Sequence, residues 1–229
     1  MKGRAIAFAS LVLAAAGVQA QQPPAVPNFT GFWELRFDSK SVPVPTLTRE
    51  AAASSTEIRR HDANAIRWCH MVGLPAIMDN WGPIDIVQNR AEVAIITDLI
   101  PSVARHIYFN QPHPDMNIFD PTPNGHSIGR WEGDTLVVDT IGFSDRGIIS
   151  IPGGGRRTPK SHLTERFRLL QGGNRLSVVS TWEDATTFGK PHTYEFIYVR
   201  APKGTELREA YCPTDDEERA KFLLAPWHR

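Results

Sequence analysis

Apolar and polar residues alternate along most of this chain. The first case is Phe29-Thr30-Gly31-Phe32-Trp33-Glu34-Leu35-Arg36-Phe37, which partly alternates and predicts a first strand. The same period predicts strands near 84–88, 91–98, 103–109, 126–131, 134–141, 162–169, 175–183 and 192–199, with a short further run at 206–211. Pro, Gly, Asn and Asp fill the intervals and punctuate the strands. Glu132-Gly133-Asp134 has the composition of a hairpin turn between two of them. Two intervals, Pro112 to Gly125 and Ser144 to Lys160, are long enough to be loops in their own right. The second carries Pro152-Gly153-Gly154-Gly155, which reads as a flexible lid or a surface excursion.

Helical signals are few. From Leu47 to Ala63 the composition turns to Ala, Glu and Arg. Thr48 can cap a short, polar surface helix starting near Arg49, with Glu50 favourably placed in its first turn. Thr214 to Leu224 predicts a C-terminal helix. Sequential strands with mostly short links and no βαβ alternation predict an all-β fold, an antiparallel meander with short peripheral helices. Closing it into a β-barrel removes exposed strand edges, and a two-sheet sandwich is the alternative.

The first twenty residues change the picture of where the fold works. Lys2 and Arg4 precede an apolar run from Ala5 to about Val18, and Val18-Gln19-Ala20 offers the small residues of a cleavage site. The expectation is a signal peptide over 1–20 cleaved after Ala20, an extended Pro/Gln-rich leader over 21–28, and a single barrel domain over 29–229. The product is secreted or periplasmic, without stable membrane insertion. The charges balance at 25 basic and 25 acidic residues, which gives no reason to expect a nucleic-acid partner. In an oxidising compartment the two cysteines, Cys69 and Cys212, are expected to form a disulfide. It would be worth about 4–5 kcal/mol in the loop-entropy account.

Two resemblances sharpen these expectations. Gly31-Phe32-Trp33 is similar to the Gly-x-Trp of lipocalins and other calycin barrels, in which the Trp plugs one end. Cys69 to Gln88, Arg105 to Pro114, Gly125 to Phe143 (GHSIGRWEGDTLVVDTIGF) and Glu165 to Arg168 together resemble a mostly uncharacterised family of secreted bacterial proteins. Asn110-Gln111 stands where that pattern has Asp-Gly-Arg before Pro112-His113-Pro114. The resemblance implies secretion and a lipocalin-like barrel, and implies no established activity.

Candidate chemistry therefore rests on the residues. Alternation sets Arg105 on the face of Ile107 and Phe109, Glu165 on the face of Leu163 and Phe167, and Asp139 between Val137 and Ile141. A one-residue change of register turns Asp139 outward, since Leu136 and Val138 compete for the core. Charges on apolar faces need partners. One reading is an internal Arg105–Glu165 or Arg105–Asp139 ion pair that only fixes the barrel. The other is a cavity wall in which Glu165 or Asp139 and His126 do acid–base work while Arg105 stabilises developing negative charge.

His106, Tyr108, Trp131 and Trp182 are candidate substrate-binding residues. No His-x-x-x-His or paired-Cys spacing supports a metal, and no cofactor motif is present. Gly125-His126-Ser127-Ile128-Gly129 matches Gly-x-Ser-x-Gly but lacks the strand-to-helix context of a nucleophile elbow. The leading expectation is a cofactor-independent enzyme, a lyase or isomerase, with epoxide opening or hydrolysis also compatible. Its substrate would be a small hydrophobic oxygenated molecule in a barrel cavity. A non-catalytic carrier of such a molecule and a structural envelope protein are the alternatives.

Overall fold

The computed structural model describes residues 26–36, 42–70, 72–80, 82–99 and 104–209. Nine strands close a barrel: β1 (Gly31–Leu35), β2 (Ile84–Gln88), β3 (Glu92–Thr97), β4 (Ala104–Phe109), β5 (His126–Glu132), β6 (Thr135–Ile141), β7 (His162–Leu170), β8 (Arg175–Glu183) and β9 (His192–Arg200). Each strand pairs with its sequence neighbour, and β9 returns to β1 through Trp33↔Arg200, Glu34↔Val199 and Leu35↔Tyr198. The expected barrel is therefore present. Its purely antiparallel character is not, because β4 and β5 run parallel through Ile107↔Ser127, Tyr108↔Ile128 and Phe109↔Gly129.

That one parallel pair has a topological consequence. A parallel neighbour requires the chain to travel back to the end where the first strand began. Residues 110–125 make this return, so a proline-rich segment crosses from one end of the barrel to the other. The turn into β5 needs Gly125: its φ is +65°, and a Cβ there would lie 2.6 Å from the Ile141 carbonyl oxygen. Gly129 meets a different demand. A Cβ at that position would come within 2.9 Å of both Ile107 and Phe109, side chains of the parallel neighbour.

Alternate residues of every strand point inward and fill the interior. Trp33, Ile86, Ile95, Ile107, Leu136 and Val138 from the first six strands meet Leu163, Phe167, Val178, Trp182, Phe196 and Tyr198 from the last three. Arg200 closes over the ring of Trp33 at 3.9 Å, and the indole nitrogen of Trp33 donates to the Phe29 carbonyl at 2.8 Å.

The helical segment after Leu47 is two helices rather than one, α1 (Arg49–Ala53) and α2 (Ser55–Arg67). Thr48 caps the first by accepting from the Ala51 amide, as its position predicts. α2 buries Ile58 and Ala65. Its Asp62 accepts from the Ile149 and Ser150 amides, so the helix anchors the long loop after β6. The glycine run in that loop is not a free lid. Ser150 and Arg156 bridge across it, and His192 bonds the Pro152 carbonyl at 2.7 Å.

Buried Arg157 holds three backbone segments together by donating to the carbonyls of Leu74, Pro123 and Arg146. Burial pushes its guanidinium down to about 10, against the raising effect of Asp62 and Asp145. Residues 206–209 form no strand, and the rest of the run expected at 206–211 lies outside the described residues. So do the expected signal peptide, the C-terminal helix and Cys212. Cys69 follows α2 with a positive φ of 51°.

Candidate functional site

The barrel wall separates the four candidate catalytic residues into two pairs. Arg105 and Glu165 lie inside, each about 1 % exposed. Arg105 donates Nη1 to Glu165 Oε1 at 3.1 Å and Nη2 to Oε2, a bidentate ion pair across the interior. Its Nη2 also reaches Ser127 Oγ and Thr140 Oγ1, both at 3.2 Å, and those two hydroxyls bond each other at 2.8 Å. The inward residues of β4, β5, β6 and β7 thus form one polar layer. Ser127 is buried within it, so the Gly-x-Ser-x-Gly match carries no accessible nucleophile.

Asp139 and His126 take the other side. On β6 the inward residues are Leu136, Val138 and Thr140, so Asp139 points outward, in the second of its two possible registers. The first register, which set it with Arg105, is corrected for a packing reason: Leu136 and Val138 belong to the continuous apolar core. Ser127 alternates with His126 in the same way and leaves the imidazole on the outer face.

The return segment 110–125 brings a third residue to this face. His113 bonds Asp139 Oδ1 through Nε2 at 2.8 Å and His126 Nδ1 through Nδ1 at 2.9 Å. His162, the first residue of β7, bonds Asp139 Oδ2 through Nε2 at 2.6 Å, and its Nδ1 lies 3.6 Å from Glu183. The four side chains form a continuous chain, His126–His113–Asp139–His162. Sequence reasoning missed His113 and His162 as site residues. Their signal was a histidine in a long Pro-rich connection and a histidine opening a strand. Only the parallel crossover joins the two.

Electrostatics follow from the arrangement. Burial acts to raise the Asp139 carboxyl, but hydrogen bonds from His162 and His113 outweigh it and hold the group below the usual carboxylate range. Burial, and then the adjacent His113, hold His126 below an ordinary imidazole. Tautomers assigned from this network give His113 an Nε2–H aimed at the carboxylate and an Nδ1 lone pair that accepts from His126 Nδ1–H. The Nε2 of His126 then carries a lone pair.

Tyr108 stacks on the His126 ring at 5.4 Å, and His106 stacks on Tyr108 at 5.9 Å while pairing with Glu92. These two candidate binding residues therefore support the outer face. Phe119 meets His126 edge-on at 5.9 Å and also lines a pocket of about 220 Å³. The walls of that pocket are Met116, Phe119, Ile141 and Phe143, with His162 and Lys160 as its polar side.

The two candidate tryptophans diverge. Trp182 is fully buried, and its indole donates to Tyr194 Oη at 3.1 Å, which makes it part of the core rather than the substrate-binding residue expected. Trp131 lines a separate open groove of about 1010 Å³ at one end of the barrel. Among the described residues, no group of three or more His, Cys, Asp or Glu side chains could hold a metal ion. No family model and no curated protein sequence matches the chain.

Proposed function

We propose that this chain is an exported enzyme, a lyase or isomerase, that performs cofactor-independent proton transfer on a small hydrophobic oxygenated molecule. The reaction is assigned to the outer wall rather than to a hollow interior. The observation that carries the reading is the unbroken hydrogen-bonded chain from His126 through His113 and Asp139 to His162, beside the small apolar pocket.

In this reading His126 is the base. Its lowered proton affinity keeps it neutral at neutral pH. A proton arriving at Nε2 lets Nδ1 release its own proton to His113, and the resulting imidazolium rests against the Asp139 carboxylate. The charge thus moves away from the reacting centre without entering solvent. The proton is returned from the His113 imidazolium back through His126 Nε2, while His162, a wall of the pocket, orients Asp139 through Nε2. Removing a proton next to a carbonyl and returning it elsewhere is an isomerisation; expelling a neighbouring oxygen instead is an elimination. The pocket walls suit a hydrophobic body, and at about 220 Å³ they hold roughly seven water-sized groups, a small molecule.

Arg105 and Glu165 are assigned a fastening role, joining β4 to β7 from within. The lipocalin-like identity of the barrel is part of the same proposal. It is supported by Trp33 of Gly31-Phe32-Trp33, buried under Arg200. Export through residues 1–20 and pairing of Cys69 with Cys212 complete it.

The test is a thermal-shift screen of the chain from Gln21 onward against small oxygenated hydrophobes, followed by product analysis of the hits. Turnover that disappears in His113→Ala and Asp139→Asn is the expected result. A hit converted at full rate by both variants would overturn the assignment.

A further inference from the structure

The larger groove shares no lining residue with the His–Asp chain, although residues 110–112 at the start of the return segment form part of its wall. It lies at the barrel end where the segment before β1, the β2–β3 turn, the end of β4 and the end of β5 converge. Barrel mouths are recurrent ligand sites. Phe29 and Phe109 pack beneath Trp131, with ring centroids 5.5 and 6.4 Å away, and block passage into the interior. Its floor is therefore a rigid aromatic shelf.

The walls are chemically unusual. Five of the thirteen lining residues carry side-chain amides, and no carboxylate or lysine lines the groove. Some of these amides are spent on the fold: Gln88 accepts from the Phe29 amide and donates to the Pro27 carbonyl. Asn28 and Asn89 use only their oxygens, in turns, which leaves each Nδ2 to donate elsewhere. Asn110 sits at the left-handed corner after β4 with φ of 57°, beside Gln111, and neither side chain is engaged by another described residue. Arg130 is committed to Glu132 through two hydrogen bonds.

An open groove of about 1010 Å³ with an aromatic floor and amide-rich walls, in which Arg130 is paired with Glu132 and Arg90 is the other charged lining residue, favours one ligand chemistry. An apolar molecule would leave the amides unpaired, and a cation would find no carboxylate. A ring with apolar C–H faces and a rim of hydroxyls satisfies both surfaces. We propose that this groove binds a neutral polyhydroxylated chain, an oligosaccharide or the exposed stretch of a polysaccharide, by packing a sugar ring on Trp131 and bonding its hydroxyls to Asn110, Gln111, Asn28 and Asn89.

The test titrates the folded chain from Gln21 onward by calorimetry with maltohexaose, cellohexaose, xylohexaose and chitohexaose. The expectation is saturable binding of at least one of them. The double variant Asn110→Gly/Gln111→Ala, which keeps the left-handed corner and removes no side-chain hydrogen bond among the described residues, should weaken it about tenfold. Trp131→Ala should weaken it further, with Trp131→Phe retaining part of the affinity if the first variant misfolds. Saturable binding that survives all three substitutions would overturn the proposal, as would no binding by any of the four sugars. A parallel titration with hexagalacturonate in which that acidic sugar alone binds, with binding lost in Arg90→Ala, would overturn it in favour of an anion site. His113→Ala is expected to leave sugar affinity unchanged, so the groove and the proton-transfer site can fail separately.

Discussion

Asp139 divides its carboxylate between two imidazoles, His113 on Oδ1 at 2.8 Å and His162 on Oδ2 at 2.6 Å. One group thereby fixes the ring orientation of a histidine from the return segment and of another from β7. Asp139→Asn keeps the shape but offers one acceptor and one N–H donor where two acceptors are needed. Proton transfer positioned in this way is worth about 10²–10⁴-fold in rate. The expected outcome is a fall in kcat of that order with a far-UV spectrum unchanged from the parent. Steady-state kinetics on a confirmed substrate checks it.

His126 sets the pH profile. Its conjugate acid is held below the ordinary value of 6.5 by burial and by His113. The active neutral form therefore persists below pH 6.5, and the acid limb of kcat/KM should fall beneath that value. His113→Gln removes the lowering influence of the neighbouring ring while burial remains, and the His126 titration should move upward but stay below 6.5. A pH–rate series on the parent gives the limb, and NMR titration of the His126 ring in both proteins measures the displacement.

Asp139 also links pH to stability. Its folded-state proton affinity is lowered, so the unfolded chain binds the proton first as pH falls. The associated stabilisation is complete above the unfolded value near 3.8 and is lost as pH drops through the lower folded value. Urea unfolding between pH 5 and pH 2 should show this loss in the parent, and a shallower one in Asp139→Asn.

Arg105 and Glu165 should behave as structure rather than chemistry. Glu165→Gln leaves a guanidinium in the interior with no counter-charge, which costs about 3–5 kcal/mol for a buried pair. Replacing both together, Arg105→Met with Glu165→Leu, removes both charges and should cost less than either single change. Chemical denaturation of the three variants reads the coupling. Per folded molecule, turnover in Glu165→Gln should stay within a few-fold of the parent.

Arg157 offers a check on how the return segment is held. It donates to the Pro123 carbonyl at 2.6 Å, and the same guanidinium reaches Leu74 and Arg146. Arg157→Met leaves the buried Leu74 carbonyl without its donor, at about 1–3 kcal/mol, while the Pro123 carbonyl keeps only the Leu74 amide and the Arg146 carbonyl loses one bond. Amide exchange should accelerate across residues 121–125 before the β6–β8 strands respond.

Much of this protein is local and was therefore legible in its residues. Strand spans such as 84–88 and 175–183 follow from a two-residue period, and Thr48 caps a helix through a contact three residues away. Each of these depends on neighbours in sequence. Arg105 and Glu165 were also traceable to the core face, since a strand's alternation assigns its side chains once the apolar set is known.

Strand direction and the outer-wall site were not legible in that way. Periodicity is the same for parallel and antiparallel neighbours, so β4 and β5 read as one more antiparallel pair joined by a long loop. Asp139 fits either register, because apolar residues lie on both faces of β6. The sequence by itself determined that alternating segments bury an apolar face and that Arg105 and Glu165 lie on it and need partners, because burial of hydrocarbon and pairing of charge are demands each segment announces. Only tertiary structure decided that β5 lies parallel to β4. The crossover this forces carries His113 along the outer wall to Asp139, bringing together histidines that no spacing rule connects.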